Sequence, residues 1–112
     1  MDHNNIIVEI DKAVAEIENY IQKYKIPKDS SLETGSIKVL KLLKIELLKG
    51  DTIVNERVLR AFKDICTSTA IQFEDTSFYA PIFFIHDELK KLIPSFERLE
   101  LLRKDFGKGN PI

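Results

Sequence analysis

The chain has 112 residues, a net charge of −1, and 44% hydrophobic against 31% charged residues. That length suffices for one buried core, so a single domain over residues 1–112 is expected. The near-neutral charge excludes a global field toward nucleic acid or anionic membrane. The one cysteine, Cys66, excludes an internal disulfide and fits a reducing cytoplasm. The opening MDHNNIIVEIDKAV lacks the order of a signal peptide, and no apolar run is long enough to span a bilayer.

Residues 5–24 read as a helix. Ile6, Ile10, Ala13, Val14, Ile17, Ile21 and Tyr24 form one stripe, with Asp2, Asn4 or Asn5 available as caps and Pro27 as the stop. Residues 27–35, PKDSSLETG, are turn formers and read as a linker. Ser36 then serves as N-cap for a helix over 37–49, which Gly50 ends. Lys38, Lys41, Lys44 and Lys49 share one arc of that helix; Val39, Leu40, Leu42, Leu43, Leu47 and Leu48 fill the rest.

A third helix is expected over 55–72, with Val58, Leu59, Phe62, Ile65, Cys66, Thr69 and Phe73 inward. Thr67, Ser68 and Thr69 compete for backbone hydrogen bonds, so a short strand at 65–73 is the alternative. An acidic turn, 74–77, leads into the helix FYAPIFFIHDELKKLI, 78–93. Phe78, Ile82, Ile85, Leu89 and Leu92 line one face; Tyr79, Phe83 and Phe84 fill others, so the helix is apolar nearly all round in its first half. Such a helix lies at the centre of the domain, or part of its aromatic surface is covered from outside. Pro81 is compatible with the first turn and Pro94 closes the helix. Ser95 caps a last helix over 96–106, with Phe96, Leu99, Leu102 and Phe106 inward and Glu100–Lys104 paired. Five amphipathic segments joined by short turns predict an all-α bundle.

His86, Asp87 and Glu88 are metal-ligating types, but consecutive helical residues diverge by about 100° and do not converge on one ion. Cys66 sits among Ile65 and Phe62 as a small hydrophobe, without the activating surroundings of a nucleophile. GKGN, 107–110, follows a helix where a phosphate loop would follow a strand. The lysine arc has no interleaved aromatics, so it reads as a solvated face. No catalytic residue, metal ligand or cofactor site is therefore expected.

Glu74, Asp75, Asp87 and Glu88 are acidic in a nearly neutral chain. Asp75 suits the dipole at a helix start, which is one explanation. The other is an acidic rim around Tyr79 and Phe83. On that reading Glu74, Asp75, Tyr79, Phe83 and Asp87 bind a basic protein partner, the aromatics as anchors and the acids setting the encounter rate.

NERVLRAFKDI, 55–65, and LLRKDFGKGNPI, 101–112, resemble small helical bacterial proteins encoded beside toxin genes. These are the immunity proteins of contact-dependent and other polymorphic toxin systems. The resemblance covers about half the chain and carries over no site residue. It implies a non-enzymatic cytoplasmic binder that occludes a toxin domain's active or substrate site; the near-neutral charge and short apolar runs, for their part, predict neither nucleic acid nor membrane as partner. A helical regulatory module, or a homodimer formed through the aromatic helix, is the alternative.

Overall fold

The structure, a computed structural model, describes residues 4–29, 31–49 and 54–96. Within them the chain forms four helices: α1 Asn4–Tyr24, α2 Leu32–Leu48, α3 Glu56–Gln72 and α4 Tyr79–Leu92. The all-α expectation holds. Gly50, the fifth helix beyond Phe96, and the GKGN stretch lie outside the described residues.

Ile6, Ile10, Ala13, Ile17 and Ile21 put every buried residue of α1 on one stripe at 3.6-residue period. Val14 is half-buried beside it, but Tyr24 is exposed rather than inward. Lys25 ends the helix in the left-handed region, φ 53°. There Ile26 N–H donates to the Ile21 carbonyl (3.0 Å) and Lys25 N–H reaches toward that of Gln22 (3.4 Å). This is a Schellman stop built on a lysine where glycine is usual, with Ile26 packed against the core. Pro27 follows the stop rather than making it.

The start of α2 corrects the sequence reading. Its N-cap is Ser31, whose Oγ accepts from Thr34 N–H at 3.0 Å. Ser36 is inside the helix, buried, and donates its hydroxyl to the Leu32 carbonyl at 2.8 Å. Residues 32–35 are therefore helix and not linker.

Asn55 caps α3 by accepting from Arg57 N–H at 2.8 Å. The threonine run does not turn to strand. Thr67 Oγ1 donates back to the Lys63 carbonyl at 3.2 Å, which satisfies the hydroxyl without leaving the helix. Thr69 is buried in the core.

Pro81 occupies the first turn of α4, as expected, where its missing N–H has no helical partner to lose.

Each helix packs on its two neighbours in a closed ring: α1 on α2 and α4, α3 on α2 and α4. Lys44, late in α2, pairs with Asp11, early in α1, at 2.7 Å. Ser77, before α4, donates to Glu16 Oε2, in the second half of α1, at 2.7 Å. These ties and the short connections make the bundle up-and-down. The helix α4 is thus one stave of the ring and not its centre. Pro81, Ile82, Ile85 and Leu89 face inward while Phe84 remains exposed.

Candidate functional site

The connection between α3 and α4 sets the geometry of the acidic residues. Phe73 and Phe78 pack together, centroids 5.3 Å apart, and both meet the Tyr20 ring of α1 edge-on. Thr76 closes the turn by donating N–H (3.1 Å) and Oγ1 (2.7 Å) to the Phe73 carbonyl. The aromatic trio and the Ser77–Glu16 bond therefore lock residues 73–78 against α1. Glu74 and Asp75 are carried outward at the tip of this corner, both exposed.

They line an open cleft of about 650 Å³ between the C-terminal half of α1 and the corner. Its walls include Glu16, Tyr20, Tyr24 and Ile71. Tyr24 packs against Tyr20 with centroids 4.7 Å apart and planes tilted by 50°, and is 55% exposed; Ile71 is 74% exposed. Three carboxylates face one ammonium here, that of Lys23, which lies 5.3 Å over the Tyr24 ring. Among the described residues neither Glu74 nor Asp75 takes a hydrogen bond or ion pair. Asp75 does not cap α4: the N-cap position is Phe78, without a side-chain cap bond, and no acidic residue stands in the first turn.

Tyr79 and Phe83 lie one turn apart on α4, both half-buried, with centroids 4.7 Å apart. The aromatic row continues from Phe83 to His86 (5.7 Å) and from His86 to Phe96 (5.5 Å). His86 also joins a polar chain. Lys63 Nζ lies 3.0 Å from His86 Nε2, and His86 Nδ1 lies 3.1 Å from Asp87 Oδ1. One tautomer serves both contacts: Nε2 accepts from Lys63, and Nδ1–H donates to Asp87. Lys63 is 3% exposed and its ammonium stands 4.3 Å over the Phe96 ring. The chain therefore leads from a buried cation to an exposed carboxylate.

The structure thus joins Tyr79 with Phe83, places Asp87 one turn on, and sets Glu74 and Asp75 beside α1. Sequence reasoning missed the α1 wall. Tyr20 and Tyr24, four apart, were its only signal; Lys63 had none, standing between apolar Phe62 and acidic Asp64. Among the described residues no His, Cys, Asp and Glu group could hold a metal ion. Cys66 is buried in the core. Among the same residues no helix is long and apolar enough to cross a membrane. Comparison with protein-family models, curated proteins and solved structures finds no match.

Proposed function

We propose that this protein works by binding another protein, and that the partner is a bacterial toxin domain which it holds inactive in the cytoplasm. The observation that carries the binding reading is the corner before α4. Glu74 and Asp75 stand unpaired among the described residues at a cleft that also exposes Tyr24 and Ile71. Exposed apolar side chains rimmed by like charges suit a protein partner of opposite charge. Tyr79 and Phe83, paired and half-buried on α4, lie outside the residues that line the cleft, and on this reading they form a second patch of the same interface. Toxin domains that attack nucleic acids are commonly basic, and an acidic cleft attracts them while repelling phosphate. The immunity role itself is supported by the resemblance of 55–65 and 101–112.

The test is co-expression with the product of the adjacent gene. Restored growth and a co-purifying complex are expected, and both should weaken when Glu74→Lys is combined with Asp75→Lys. No rescue and no complex would contradict the immunity reading. Gel filtration of the protein alone showing a dimer that Tyr79→Ala dissociates would favour self-association through α4 instead.

A further inference from the structure

The outer face of α2 is apolar where a bundle helix is ordinarily polar. Leu40, Leu43 and Leu47 fill the inner face with Ser36. Leu42, Ile45 and Leu48 nonetheless stand 49%, 54% and 62% exposed. They recur every third residue, so they form a slanting row across about 120° of the helix surface. The sequence set Leu42 and Leu48 among the leucines off the lysine arc without dividing them between inside and outside; the structure places both outside. Ile45 completes the row.

The charges beside this row are lysines. Lys44 is neutralised by Asp11 at 2.7 Å and Lys49 by Glu46 at 2.7 Å. Lys38 and Lys41 are exposed and have no carboxylate partner among the described residues. The face therefore presents an aliphatic row flanked by two unbalanced positive charges one turn apart.

We propose that this face docks an acidic amphipathic helix of a protein partner, one whose leucine-type row meets Leu42, Ile45 and Leu48 and whose carboxylates meet Lys38 and Lys41. Charge complementarity selects this occupant. A second copy would bring the same lysines against each other about a two-fold axis. An anionic bilayer would meet only a narrow strip, because α2 is packed between α1 and α3, and Asp11 stands exposed at its edge. The surface is separate from the acidic cleft and opposite to it in sign, so the proposal does not rest on the function proposed above.

The probes are two synthetic 18-residue amphipathic helices with the same leucine row, one flanked by glutamates and one by lysines, together with vesicles of phosphatidylserine and phosphatidylcholine. The glutamate peptide should bind at least tenfold tighter than the lysine peptide, and more weakly as salt rises. Leu42→Ser with Ile45→Ser should lower that affinity at least tenfold with an unchanged melting temperature. Lys38→Glu with Lys41→Glu should reverse the preference between peptides. Four results would overturn the proposal: no binding of the glutamate peptide, equal binding of both peptides, insensitivity to both double substitutions, or vesicle binding or dimerisation that Leu42→Ser with Ile45→Ser abolishes.

Discussion

Lys63 shows how one residue can join a core to a surface. A lysine taken out of water must have partners that replace its hydration. Here His86 Nε2 and the face of Phe96 contribute, and His86 is itself oriented by Asp87. Removing the imidazole takes away an acceptor for a buried ammonium and two ring contacts. His86→Ala should therefore cost about 1–3 kcal/mol in urea unfolding, the usual penalty for disrupting a buried polar contact. An unchanged midpoint would mean that the contact contributes nothing to stability. Apolar positions behave more simply. Phe62 and Leu89 are fully buried, one in α3 and one in α4. Truncating either to Ala should leave a cavity and cost about 2–5 kcal/mol. Thermal melts in which neither loses stability would contradict this account of the core.

At the scale of the element, α2 is the instructive helix. Gly35 lies in its first turn, and a Cβ built there meets nothing within 4 Å. Gly35→Ala should therefore stabilise the fold by about 0.5–1 kcal/mol through helix propensity alone. A drop in melting temperature would contradict the helical start at Leu32. The other end of α2 is tied to α3. Glu46 accepts from Lys49 Nζ at 2.7 Å and from Asn55 N–H at 3.0 Å. These two bonds, the lysine's first, hold its carboxyl below the ordinary glutamate value. A carboxyl that ionises more readily in the folded chain contributes stability above its unfolded pKa and loses it as pH falls through the folded one. Glu46→Gln should lower the melting temperature near neutral pH, and the difference from wild type should shrink as the medium is acidified past the ordinary glutamate value. A difference that grew in acid would contradict the assignment. The same helix marks the limit of reading from sequence. In α1 the isoleucines occupy one stripe, so its face and span were legible. In α2 leucines occupy nearly every direction, and spacing does not say which turn inward. Its cap was missed because Ser31, Thr34 and Gly35 are turn formers by type, and only the Ser31–Thr34 bond reveals a helix start. The threonines of α3 posed the opposite problem: their local competition with the backbone is real, and the Thr67 bond to Lys63 resolves it inside the helix.

Across the whole molecule, the up-and-down ring turns α4 from a central helix into a stave and leaves part of its apolar surface outward. That explains why its first half carries more aromatics than one inner face needs. Glu74, Asp75, Tyr79, Phe83 and Asp87 were legible as an acidic, aromatic stretch because they are close in sequence. The α1 wall of the cleft was not, because Glu16, Tyr20 and Tyr24 reach it only through tertiary packing. The central claim is that this corner binds a basic protein partner. The most direct measurement is association and dissociation kinetics of the co-purified partner, taken beside melting temperatures, for wild type, Tyr79→Ala and the Glu74→Lys, Asp75→Lys double variant. The account predicts slower association with weaker salt dependence for the double variant. It predicts faster dissociation for Tyr79→Ala, worth about 2 kcal/mol of affinity. Lower melting temperatures with unchanged rate constants for both variants would contradict it.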